Sequence, residues 1–244
     1  MPRPESGERF KSCPMSPSRT THFTTVLKKF MIALSGLGLV GFVVVHLLGN
    51  LTLLSHDPAV KFNAYAAKLE SLGIFLEFAE VGLAGLFLIH IGSTLTTKLK
   101  NKGARPIGYR QWASKGGKTP SNVSSRNMAI TGSIILSFLI LHIWQFRLGP
   151  GMAQGYVVQQ NQESVRDLYR LVVEVLKNPF MALFYSVVMV MLGLHLRHGF
   201  WSALQSLGAT SPKTTQQVRL LGALIGVLLG VGFLILPAWI YFTA

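Results

Sequence analysis

Four histidines, His46, His90, His142 and His195, lie inside four separate apolar runs, each 14–16 residues after its run begins. Side chains that can ionise or bind a ligand are costly in hydrocarbon, so their presence there points to a function. Four imidazoles at matching depth on four helices suggest two pairs of axial ligands, each pair closing both faces of one haem iron. Two imidazoles leave iron no open position, which favours electron transfer over oxygen chemistry.

The elements that must hold these residues are apolar helices. Half of the 244 residues are hydrophobic and only 13% are charged. The apolar runs are long enough to cross a hydrocarbon core of about 30 Å. Five spans are expected, at about 30–54, 74–97, 128–148, 179–205 and 218–242. None alternates with period two as a barrel strand would. The expected fold is all-α, a polytopic membrane protein whose first four spans form a four-helix haem-binding bundle. Two regions are expected: a polar, basic tail over 1–29 and a five-helix cytochrome b domain over 30–244. No apolar stretch and no small-residue cleavage site precede Phe30, so no removable signal peptide is expected. The single cysteine, Cys13, excludes a disulfide within the chain and a Cys-ligated iron–sulfur cluster.

Charge sets the expected topology. The tail carries six basic residues, segment 98–126 eight with no acid, and segment 197–219 three, whereas the two other connections share six. The positive-inside rule then places the N-terminus in the cytoplasm and the C-terminus outside, in the cytoplasmic (inner) membrane. The same asymmetry explains the net charge of +14 better than nucleic-acid binding does, since no recognition motif or aromatic interleaving accompanies it. With alternating helix directions, His46 and His142 fall near the outer face and His90 and His195 near the inner face. The two levels are expected roughly 15 Å apart if the core is about 30 Å thick.

Other polar residues compete with this set. His198 follows His195 by three positions on nearly the same helix face, but lies closer to the interface beside Arg197. It is the weaker ligand, suited instead to a propionate or a partner protein. His22 and His56 fall in polar segments. Glycines 36, 38, 41 and 49 in the first span and 82, 85 and 92 in the second would give a bulky cofactor room. Gly222, Gly226 and Gly230 repeat every four residues in the fifth span, which has no histidine and reads as a packing helix.

The segments HLLGN (46–50), FNAY (62–65), ARPIGY (104–109), SSRNMAITG (124–132), LHIWQFRLG (141–149), DLYRLVVEV (167–175) and HLRHGFWSALQSLG (195–208) resemble the diheme cytochrome b subunits of succinate dehydrogenase, of the b558 type and related to fumarate reductase anchors. The resemblance covers about 30–210. It implies two haem b groups, the outer on His46 and His142 and the inner on His90 and His195. It implies partners as well: iron–sulfur and flavoprotein subunits on the cytoplasmic side, with menaquinone or another quinone as acceptor. Succinate chemistry would reside on those partners. By the same resemblance Arg170 would meet a propionate of the outer haem; the alternative is an exposed charge on a short amphipathic helix formed by Leu168, Leu171, Val172 and Val175. Some relatives bind quinone through a glutamate after the first helix, where this chain has Asn63; Asn63, Tyr65 and Lys68 are the candidates for a quinone carbonyl, or else belong to a solvated loop. Glu77 and Glu80 could relay protons or meet headgroups. Two other classes fit the residues: a diheme cytochrome b serving a hydrogenase or formate dehydrogenase, and a haem-free scaffold or transporter.

Overall fold

The computed structural model describes residues 19–103, 127–160 and 162–244, with side chains from residue 25 onward. Five helices are long and apolar enough to cross a membrane: Thr25–Leu54, Ile74–Gly103, Met128–Arg147, Pro179–Ser206 and Thr215–Thr243. The protein is therefore a helical, multi-pass membrane protein by length and composition. We number the α-helices α1 (Arg19–Asn50), α2 (Pro58–Glu70), α3 (Ile74–Gly103), α4 (Met128–His142), α5 (Leu168–Leu176), α6 (Pro179–Ser206) and α7 (Thr215–Thr243). The basic connection after Gly103, including Arg105 and Arg110, and the tail with Cys13 lie outside the described residues.

Both α1 and α3 outrun their apolar segments, α1 from Arg19 and α3 to Gly103. An apolar run marks what must sit in hydrocarbon, whereas the helix continues wherever backbone hydrogen bonds can still be made within it. Lys98, Lys100 and Lys102 thus lie exposed near the C-terminus of α3, where cations complement the helix dipole.

α3 packs along α1, α1 along α6, and α6 along α4, while α7 lies on α6 and also touches α1. In this order α1 and α4 are diagonal to each other, and so are α3 and α6. α3 is the least covered of the five, with Ser93 its one buried residue. The α6–α7 contact is the tightest: Gly193 on α6 faces Gly226 and Gly230 on α7, backbone against backbone. The buried core follows that seam and spreads to α1, through Val188, Met189, Leu229, Phe233, Leu236, Ile240 and Leu47.

One end of the bundle is capped by the 3-10 turn Leu51–Leu54, α2, α5 and a two-stranded antiparallel hairpin, β1 (Val157–Gln160) with β2 (Glu163–Arg166), paired Val157 to Arg166 and Gln160 to Glu163. This hairpin is an addition to the expected all-helical plan. We call this the hairpin end, and the opposite end, where α3 stops and α4 begins, the loop end.

Candidate functional site

The hairpin end brings His46 and His142 together. Their ring centroids lie 5.8 Å apart with planes 87° apart. Each ring stacks on a phenylalanine one turn earlier in its own helix, His46 on Phe42 and His142 on Phe138, both at 5.3 Å. Phe233 of α7 closes the His46 side at 5.8 Å, and Phe146 meets His142 at 5.1 Å. His142 Nδ1 is buried with no hydrogen-bond partner among the described residues. His46 is approached only by the Asn50 amide, at 3.5 Å from either ring nitrogen.

At the loop end His90 of α3 and His195 of α6 lie on the second diagonal, near enough to interact electrostatically. Each is held from the neighbouring helix. Ser35 Oγ of α1 lies 3.3 Å from His90 Nδ1, and Thr131 Oγ1 of α4 lies 3.2 Å from His195 Nδ1. The glycine after each hydroxyl residue makes room for the ring: a Cβ on Gly36 would be 3.2 Å from His90 Cε1, and one on Gly132 would be 3.4 Å from His195 Cε1. His198 turns away to Trp201, 5.8 Å between centroids, and Trp201 in turn lies under the Arg219 guanidinium at 4.7 Å.

The two ends are linked by a repeat that the apolar periodicity conceals. Ser35-Gly36, Phe42 and His46 on α1 recur as Thr131-Gly132, Phe138 and His142 on α4, with the same offsets of seven and eleven residues from the hydroxyl. Eleven residues make three helical turns, so both levels share one helix face and lie about 16 Å apart along the axis. The hydroxyl positions were the functional signal missed in the sequence, and comparing the two histidine-bearing runs position by position would have found them.

These residues suit a haem. His46 and His142, paired ring to ring at 5.8 Å, would hold the iron of such a group between them. Paired imidazoles and glycine cradles are also the donor set and the local relief that such a group requires. Metal sites of three or more His, Cys, Asp or Glu ligands are absent among the described residues; haem needs only two from the protein.

The hairpin end also positions His142. Directly after it the helix loosens into a π-turn over Ile143–Arg147, closed by Leu148 N donating to Ile143 O at 3.0 Å. The carbonyls freed there are taken by Arg166 of β2, whose Nη2 donates to Phe146 O at 2.9 Å and to Pro150 O at 2.8 Å, and whose Nε donates to Pro150 O at 3.1 Å. Desolvation draws the Arg166 pKa below its ordinary value, yet a guanidinium remains charged and suits a helix C-terminus. Replacing Arg166 with Gln is expected to cost on the order of 2 kcal/mol, the value of hydrogen bonds to a charged group. A lower apparent melting temperature at fixed scan rate would register it, and Arg166→Lys, lacking the planar fork, should not restore the loss. An unchanged melting temperature would mean the clamp is idle.

The candidates at this end are not gathered into one site. Asn63 is 2% exposed, and both ends of its amide are hydrogen-bonded: Nδ2 donates to Asp167 Oδ1 at 2.9 Å and Oδ1 accepts from Tyr169 N at 2.9 Å. It ties α2 to the start of α5. Tyr65 lies on Gly49, where any Cβ would overlap its ring, and Lys68 is exposed in the last turn of α2. At 100° per residue Asn63 leaves α2 on the side away from Tyr65 and Lys68, which are three positions apart on nearly one face. Arg170 sits on the amphipathic helix α5, ion-paired with Glu174 at 2.8 Å and 4.6 Å over the Tyr156 ring. The Tyr156 hydroxyl, and after it Arg170, hold the Glu174 carboxyl below its ordinary pKa. Glu80 pairs in bidentate fashion with Arg147, at 2.8 and 3.0 Å, bridging α3 to the π-turn. Beside that turn is a cleft of about 530 Å³ lined by Trp144, Gln145, Leu148, Pro150, Leu171 and Val175, among others. Gln145 is oriented by Tyr185, whose hydroxyl donates to its Oε1 at 2.6 Å.

In comparisons with protein families, curated proteins and solved structures, nothing matches this chain.

Proposed function

We propose that the chain is the membrane-anchor, diheme cytochrome b subunit of a succinate:quinone oxidoreductase. The observation that carries this reading is the arrangement of its four intramembrane histidines as two diagonal pairs at two levels of one bundle. Haem bound at each level would supply reversible one-electron transfer. The chain's own part is to present two imidazoles per iron, to keep water from the His46/His142 pair with phenylalanines 42, 138 and 233, and to fix the two levels on a common helix face.

The succinate assignment itself rests on the sequence resemblance, and so do the partners: flavoprotein and iron–sulfur subunits at the loop end, which the positive-inside rule assigns to the cytoplasm. The exposed lysines 98, 100 and 102 would face that partner. Electrons would enter on the His90/His195 side and leave to menaquinone or another quinone near His46 and His142. The open cleft beside Trp144 and Gln145 is a second candidate place for the quinone besides Asn63, Tyr65 and Lys68. Arg170, more than half exposed and paired with Glu174, would reach a propionate only by leaving that carboxylate.

A pyridine haemochrome assay on the purified chain is expected to give two b-type haems, and the absorption spectrum of the native protein to show them low-spin and six-coordinate. One or none would remove the assignment, and none would favour a scaffold or transporter. Co-purifying flavoprotein with succinate dehydrogenase activity separates the proposal from a hydrogenase or formate dehydrogenase cytochrome.

A further inference from the structure

The hydroxyls of Ser35 and Thr131 are among the few buried polar groups of the bundle, in residues 2% and 4% exposed. Each has one proton to give and two lone pairs. Ser35 Oγ donates to Met31 O at 2.6 Å, with Ile32 O at 3.3 Å, and Thr131 Oγ1 donates to Asn127 O at 3.1 Å, with Met128 O at 3.2 Å. This is the back-bond to carbonyls one turn earlier that a helical Ser or Thr makes in an apolar setting. With that proton committed, each oxygen can meet the neighbouring imidazole only as an acceptor. His90 Nδ1 and His195 Nδ1 must therefore carry the ring proton. A neutral imidazole has a single N–H, so Nε2 is left with a bare lone pair.

We infer that Ser35 and Thr131 are positioning residues that hold His90 and His195 as Nδ1–H tautomers, with Gly36 and Gly132 seating the rings, so that each Nε2 is the metal-binding atom. The inference rests on the haem reading for the identity of that metal. It draws independent support from repetition, because the same hydroxyl–glycine pair meets the same two ring atoms on two helix pairs. Among the described residues the hairpin-end pair lacks the device: His142 Nδ1 has no hydrogen-bond partner, and His46 meets the Asn50 amide at 3.5 Å. Effects of losing the hydroxyls should therefore fall on one haem alone.

The expected sign follows from ligand basicity. An acceptor on Nδ1–H makes an imidazole a stronger donor through Nε2 and stabilises the ferric state. Removing it should raise the midpoint potential of the His90/His195 haem. Ser35→Ala, Thr131→Val and the double variant would be compared with the oxygen-retaining Ser35→Thr and Thr131→Ser. All would be tested as full chain in membranes, by redox titration of both haems and by electron paramagnetic resonance of the ferric state. The expected result is an upward shift and altered g-values for that haem, largest in the double variant, with the other haem unchanged and both oxygen-retaining variants close to the parent. Selective loss of that haem, reversed in the oxygen-retaining variants, would also support the role. Wild-type potentials and g-values in the double variant would overturn it, reducing the hydroxyls to back-bonds for their own helices. Loss of both haems in the oxygen-retaining variants as well would overturn it too. A parent chain without haem would instead overturn the functional reading beneath it.

Discussion

His46→Ala and His142→Ala are each expected to abolish the same one of the two haems, and His90→Ala and His195→Ala each to abolish the other. Haem content should fall by about half in every case, since six-coordinate low-spin iron needs both imidazoles. The pairing follows from the diagonals. His46 and His142 meet at 5.8 Å across α1 and α4, while His90 and His195 are each held by a hydroxyl on an adjacent helix at the opposite end. His198→Ala should leave both haems in place, because its ring lies against Trp201, which Arg219 covers on its own account. Haem quantification with dithionite-reduced difference spectra of the five variants would check this. Removal of different haems by His46→Ala and His142→Ala would break the diagonal scheme, and loss of the second haem in His198→Ala with retention in His195→Ala would shift the ligand by one turn.

The five apolar helices, and the ends of the bundle at which the histidines of four of them lie, were legible because both depend on one dimension: residues along a sequence map directly to distance along a helix axis. What was not legible depends on neighbours far away in the chain. Asn63 reads as a polar loop residue open to a ligand, yet its amide is consumed by Asp167 and the Tyr169 backbone, more than a hundred residues later. The hairpin Val157–Arg166 is too short and polar for its strands to show a clear alternation, and its stability comes from tertiary bonds such as Arg166 on the π-turn carbonyls. The π-turn has no local signature. The close return of the chain after it is marked by Gly149, where a Cβ would lie 1.9 Å from Gln145 O. Glycines expected to make room for a cofactor divide into two kinds. Gly36 seats a histidine and Gly49 seats Tyr65, while Gly41, Gly82, Gly85 and Gly92 have nothing within 4 Å. Composition alone cannot separate these uses.

Gly226→Leu is expected to be the most damaging change outside the histidines. A Cβ there would lie 2.6 Å from Gly193 O and 2.9 Å from both Arg197 N and Arg197 Cβ, so most of what it meets is backbone that cannot rotate away. Relief requires α7 to withdraw from α6. Overpacking typically costs about 1–3 kcal/mol, and here the obstruction lies at the centre of the tightest seam, with Gly222 and Gly230 equally close on either side. Withdrawal would also move α6, on which His195 sits two residues beyond Gly193, away from its register with Thr131. The loss should appear as a lower melting temperature together with depletion of the His90/His195 haem. Gly226→Ala should give the same pattern more weakly. Gly82→Leu is the matched control, since Gly82 is exposed and its Cβ position is open, and it should leave both measures unchanged. Equal tolerance of Leu at 226 and at 82 would show that α7 is dispensable to the geometry of the bundle, and that the glycine repeat reflects composition rather than contact.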